Sequence, residues 1–147
     1  MSHEASCAGA GRVAARLAKQ VERALGEVDL SLAQFRLLAN LSEGPSAASA
    51  LAERLIVSRP SVTALADGLV ERGLVERRQA AGDRRSVIHV LTDKGSRVVA
   101  DADVAIDGRL ASVAEELAEG EQKRAFAGLR SWEKALDRAR DRVMRDR

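Results

Sequence analysis

Residues 46–95, SAASALAERLIVSRPSVTALADGLVERGLVERRQAAGDRRSVIHVLTDKG, decide the fold. Leu51 and Leu55 mark a short helix, and Ser58-Arg59-Pro60-Ser61 open a second one. Ser58 is a good N-cap, and Pro60 falls in the first turn, where a missing N–H costs nothing. Val62, Leu65 and Leu69 recur at helical spacing as the inner stripe, and Gly73 suits the left-handed position just past the helix end. Leu74 to Arg78 and Val87 to Leu91 then have strand composition, joined by the turn-rich Ala80-Ala81-Gly82-Asp83. The hairpin carries Gly82-Asp83-Arg84-Arg85 at its tip. A helix pair followed by a two-stranded ribbon is the outline of a winged helix-turn-helix. The expected fold class is therefore mainly α with a small β-hairpin wing.

Outward from this block, Val13, Leu17, Val21 and Leu25 repeat every four residues, as in an amphipathic helix that Gly26 to Asp29 breaks. Ser31 and Gln34 fit a capping box, across which Leu30 can staple onto Phe35. The buried face of that helix is expected at Phe35, Leu38 and Leu41, with Gly44-Pro45 ending it. Thr92 can cap a long helix with a stripe at Val99, Ile106, Leu110, Val113 and Leu117. Glu119-Gly120 interrupts, and a last helix carries Phe126, Leu129, Trp132, Leu136 and Val143. From Thr92 to Leu117 a helix would run about 40 Å, too long for a compact domain of this size. Such seams usually close against a second copy. The expected organisation is a flexible N-terminal tail over 1–11, a helical dimerisation module over 12–29 and 93–147, and the winged helix-turn-helix over 30–92. A monomeric bundle with inward seams is the alternative.

The 147 residues suit one domain with extensions, and 46% hydrophobic with 31% charged residues fits an ordered chain. Aromatics are only 2%, so the core must be built mainly from Leu, Val and Ala. One cysteine, Cys7, excludes an intrachain disulfide. No apolar run approaches a membrane span and no secretory leader is evident, so the expected location is cytoplasmic with no membrane partner. Net charge is only +2, yet basic residues outnumber acids by nine to six between Ser46 and Arg97. His3 and His89 lie far apart, and no metal spacing, phosphate loop or nucleophile elbow occurs. No enzyme activity, metal or cofactor is expected.

The winged helix suggests double-stranded DNA as partner, because its second helix fits the major groove and its wing tip reaches the backbone or minor groove. Ser58, Arg59, Ser61, Val62 and Thr63 occupy the first turns of that helix. Arg can contact guanine bidentately, and Ser and Thr can bond bases or phosphates. Val62 also fits the inner stripe and is assigned to the core. Arg84 and Arg85 at the wing tip suit phosphate or minor-groove contacts. The plain alternative for them is a solvated hairpin tip.

Three blocks carry a resemblance to the MarR family of bacterial transcription regulators: Leu69-Val70-Glu71-Arg72-Gly73-Leu74-Val75-Glu76-Arg77, then Asp83-Arg84-Arg85, then Leu91-Thr92-Asp93-Lys94-Gly95. The match runs from about Val13 to Val143, and the order and spacing of the blocks is what makes it specific. The resemblance implies an intertwined homodimer on a pseudo-palindromic operator, acting as a repressor and released by a small anionic or phenolic ligand or by oxidation. It implies that Asp83 steadies the wing arginine. It also implies a ligand site where the dimer helices meet the winged helix, with Leu17, Val21, Phe35, Leu38 and Ile106 as walls. Two departures stand out: Ala64 replaces a basic residue common in relatives, and Gly68 lies inside the second helix. Peroxide-sensing relatives place a reactive cysteine near the start of the first helix, about where Cys7 falls. They surround it with tyrosines, which this chain lacks, so the ligand route is favoured over a redox-sensing regulator using Cys7. A winged helix used for protein interaction is the alternative of another class, with the wing arginines against it.

Overall fold

Ser31 begins the second helix of the structure, a computed structural model that describes residues 7–145. Its hydroxyl accepts the Gln34 N–H at 3.1 Å, and the Gln34 side chain accepts the Ser31 N–H at 2.9 Å, so the box is closed in both directions. The helices and strands in chain order are α1 (Ala10–Leu25), α2 (Leu32–Ser42), β1 (Ser46–Ala47), α3 (Ala48–Leu55), α4 (Arg59–Glu71), β2 (Val75–Ala80), β3 (Asp83–Leu91), α5 (Asp93–Ala114) and α6 (Glu119–Arg145). A single 3-10 turn, Gly26–Val28, follows α1. The residues fall into two compact units, divided within α5 after Arg109. Residues 1–6 of the expected tail, with His3, and residues 146–147 lie outside the described residues.

In the first unit, Leu25, Leu37, Leu38, Leu51, Val62 and Leu69 are fully buried where the helices meet. Leu37 takes the deep position in α2, and Phe35, expected on its buried face, is only half-buried. The inner stripe of α4 is Val62, Ala66 and Leu69, with Leu65 at its margin. Along α1 burial deepens from the exposed Val13 to the enclosed Leu25.

The sheet has three strands in the order β1-β3-β2, not the two of a simple hairpin. Ser46 and Ala47 pair antiparallel with His89 and Ile88. Nothing local marks them as a strand, because their partner lies some forty residues on. The wing is also longer than its apolar segments suggest. Its ladder runs from Val75↔Leu91 to Gln79↔Val87, with an irregularity at Gln79/Ala80 before the tip. Gln79, beyond the expected strand end at Arg78, joins it because the ladder bonds main chain, whatever the side chain.

The carbonyls at the end of α4 are taken up by residues 92–95. Thr92 donates its N–H to Leu74 at 3.1 Å and its hydroxyl to Gly73 at 2.7 Å, while the Thr92 hydroxyl oxygen accepts the Gly95 N–H at 2.9 Å. Lys94 Nζ reaches the Arg72 carbonyl at 2.9 Å. Gly95 admits no side chain: a Cβ there would lie 2.7 Å from Leu91 Cδ1 and overlap the Leu74 carbonyl. Two of the three sequence blocks thus form one joint between α4 and α5.

α5 ends at Ala114, three residues short of Leu117, where the chain tightens into i+3 bonds from Glu116 to Val113 and Leu117 to Ala114. In the second unit, α6 keeps Phe126 half-buried but leaves Trp132 at 63% and Leu136 at 65% exposed.

Candidate nucleic-acid interface

The first turn of α4 is capped by Ser58, whose hydroxyl accepts the Ser61 N–H at 3.2 Å and lies 2.8 Å from the Ser61 hydroxyl. Thr63 returns its hydroxyl to the Arg59 carbonyl at 3.1 Å, as helix-interior Thr commonly does. Ser58 and Thr63 therefore spend hydrogen bonds on the helix itself. Arg59, Pro60, Ser61, Thr63 and Ala64 are exposed, whereas Val62 is wholly buried and belongs to the core. Gly68 has nothing within 4 Å of the position a Cβ would take, so no close approach requires it.

At the wing tip Gly82 takes a φ of 81°, the left-handed region in which glycine carries no penalty. Asp83 then accepts the Arg85 N–H at 2.9 Å and the Ser86 hydroxyl at 2.7 Å. These bonds, the Ser86 hydroxyl foremost and then the Arg85 N–H, hold its carboxyl below the usual carboxylate range. Asp83 steadies Arg85 through its backbone and leaves the guanidinium out of the turn. Arg84 and Arg85 are both exposed.

Helix and wing share one open groove of about 540 Å³, lined by Arg59 and Thr63 from α4, Arg85 from β3, and also by Asp67, Arg77 and His89. Ser58, Ser61 and Arg84 are not part of its lining. The last three lining residues were not expected at the site from sequence. Arg77 Nη2 meets Asp67 Oδ1 at 2.5 Å, and Arg77 Nε lies 3.4 Å from His89 Nε2. His89 lies within the wing strand β3 and is only 4% exposed. Burial pushes its pKa below the ordinary histidine value, with the Ser46 backbone working the other way and Arg77 adding to the depression. A cross-strand pairing of Arg77 with His89 could have suggested their contact; Asp67 has no such local signal.

Of the expected ligand walls, Leu38 and Ile106 are buried, and Leu17, Val21 and Phe35 are half-buried. One turn after Ile106, Arg109 of α5 donates from Nε at 2.8 Å to the neutral amide oxygen of Gln20 on α1. Cys7 is exposed, and its carbonyl accepts the Ala10 N–H ahead of α1. Among the described residues no cluster of three metal-ligating side chains occurs, and no helix is long and apolar enough to cross a membrane.

Comparison with known proteins gives concordant matches. Residues 28–86 match the model of the MarR family. An uncharacterized HTH-type transcriptional regulator of Bacillus subtilis, YpoP, is 34% identical over 85 residues, which is 55% of this chain and 60% of the relative. The chain thus spans less than two thirds of that curated relative. Among solved structures, the transcriptional repressor CouR bound to a 23-mer DNA duplex is 30% identical, with a TM-score of 0.70 over 84% of this chain and 88% of that one. CouR from Rhodococcus jostii RHA1 is also solved with p-coumaroyl-CoA. RV1404 from Mycobacterium tuberculosis is 25% identical, with a TM-score of 0.74 over 92% of this chain and 94% of that one.

Proposed function

Because the chain belongs to the MarR family, we propose that it is a homodimeric transcriptional repressor that binds a pseudo-palindromic DNA operator and is released by a small anionic or phenolic ligand. The observation that carries the DNA part is the shared groove. Arg59, at the start of α4, and Arg85, on the wing, line it together. A major-groove helix and a backbone-contacting ribbon need that convergence. CouR, solved on a DNA duplex, supports the same partner.

Dimerisation is supported by the apolar side chains α6 leaves in water, Trp132, Leu136 and Val143 among them. Exposed apolar groups along one helix mark an association surface, and closed two-fold pairs are the commonest solution. The two reading helices of such a pair imply two half-sites about one helical turn apart.

For the signal, the expected wall residues Leu17, Val21, Phe35, Leu38 and Ile106 are apolar, and the Arg109 guanidinium, one turn after Ile106, is bonded to a neutral amide. That combination suits a ligand with an apolar body and a negative charge. CouR with p-coumaroyl-CoA is a relative with a ligand of this kind. A ligand acts only by favouring one spacing of the two reading helices over another.

The decisive experiment selects duplexes from a random-sequence pool on the full-length protein and measures their affinity against salt. A recovered two-fold sequence bound in a salt-dependent way is expected. Salt-independent recovery, or none, would favour a protein-interaction module. Treating wild type and Cys7→Ser with hydrogen peroxide separates the two signals. Equal, unaffected binding is expected; loss in wild type alone would make Cys7 the sensor.

A further inference from the structure

A carboxylate in a DNA-facing groove opposes binding, because it repels the phosphates that the neighbouring arginines attract. Asp67 nevertheless lines this groove, with its side chain 60% exposed. Its Oδ1 holds Arg77 Nη2 at 2.5 Å, and Arg77 in turn points Nε at His89 Nε2, 3.4 Å away. The chain of contacts crosses three elements, from α4 to β2 to β3. Arg77 and His89 face each other in the β2–β3 ladder, and Ser46 of β1 faces His89 from the other side. The line therefore runs from the reading helix into the centre of the wing sheet.

Arg stays protonated and can only donate, so His89 Nε2 is the acceptor and the imidazole proton sits on Nδ1. Nδ1 is buried, and the Ser46 backbone that favours the protonated ring does not meet it with hydrogen-bond geometry. The neutral ring is thus the form the contact requires. A second proton would land on Nε2, remove the acceptor and set a buried cation against Arg77.

We infer that Asp67, Arg77 and His89 act as one positioning unit that fixes the wing against the reading helix, so that Arg59 and Arg85 meet DNA together, and that the unit holds only while His89 is neutral. The inference rests on the groove being the DNA-facing surface. Asp67 weakens attraction to phosphate but sets the angle between the two contacting elements. The charges acting on His89 are Arg77 from β2 and Asp67 from α4. Arg59 and Arg85 are the other charged residues of the groove, and its lining from β1 and α3 is uncharged, Ala47, Ala48 and Ser49. Burial depresses the His89 pKa, which keeps the ring neutral at neutral pH and places the transition on the acid side of the usual histidine range.

The test uses full-length protein and the duplex selected on wild type. Simple electrostatics says that Asp67→Asn binds more tightly; positioning says that it binds more weakly, by about three- to fivefold at neutral pH, the scale of an exposed ion pair. Asp67→Glu, which keeps the charge, should restore most of the loss. Arg77→Lys keeps its charge but cannot serve Asp67 and His89 together, and should show the same weakening if Asp67→Asn folds poorly. Wild-type affinity should hold from neutral pH down to about pH 6.5 and fall over the interval below it. His89→Gln retains an acceptor without titrating, so its affinity should stay flat over that interval. Equal or tighter binding by folded Asp67→Asn, or the same pH profile in wild type and His89→Gln, overturns the positioning role alone. A pool that yields no bound duplex for wild type overturns the DNA reading and this inference with it.

Discussion

Arg59 and Arg85 line the same groove but are expected to do different work. Arg59→Ala should relax sequence preference and cost about 1–3 kcal/mol if the guanidinium pairs with a base edge. Arg85→Ala should weaken all duplexes alike and reduce the salt slope by about one. Competition binding over a panel of operator variants separates the two, and an unchanged slope in Arg85→Ala would take the wing off the backbone. Away from the groove, Ile56 closes α3 with φ 56° and ψ 52°, a left-handed conformation costly for a β-branched residue. Its side chain is 87% exposed and contributes little packing. Ile56→Gly should therefore stabilise the protein by about 0.5–1 kcal/mol, the relief of strain less the extra freedom glycine gains unfolded. Chemical denaturation measures this, and a midpoint at or below wild type contradicts it. The Ser58 and Ser31 caps could be read from the sequence because their partners lie three residues away. The strain at Ile56 could not, since it depends on where α3 must end.

At the scale of elements, the joint between α4 and α5 is the most economical piece of the fold. Thr92 bonds the carbonyl of Gly73 and caps Gly95 with one hydroxyl. Thr92→Val keeps the shape but loses both bonds, and should lower stability by about 1–2 kcal/mol, the range of a lost N-cap. Thermal unfolding checks this; a shift confined to a few tenths would mean that water replaces the hydroxyl. The Leu91-to-Gly95 block is legible as a helix start from its residues alone. That Gly95 must lack a side chain because the Leu74 carbonyl lies against it is a tertiary fact. β1 is the element sequence missed, as two residues have no periodicity and only their pairing with β3 makes them a strand.

For the whole molecule, α6 exposes Leu129, Trp132, Leu136 and Val143 along its length. Removing the residues after Gly120 should abolish dimerisation and with it tight operator binding, because one half-site then has to supply all the affinity. Sedimentation velocity with a binding titration on the same sample measures both. A truncated monomer that still binds its operator tightly would break the link between assembly and readout.

Periodicity, caps and turn residues are local chemistry, and they made the helices, the hairpin, the buried Val62 and the exposed Arg59, Arg84 and Arg85 legible along the chain. The tertiary structure alone decided the third strand, the burial of His89 and the convergence of Arg59, Asp67, Arg77 and Arg85 on one groove. Each of those joins residues carried by different elements of the chain. Their meeting depends on how strands register and helices pack, and no spacing along the chain encodes that directly.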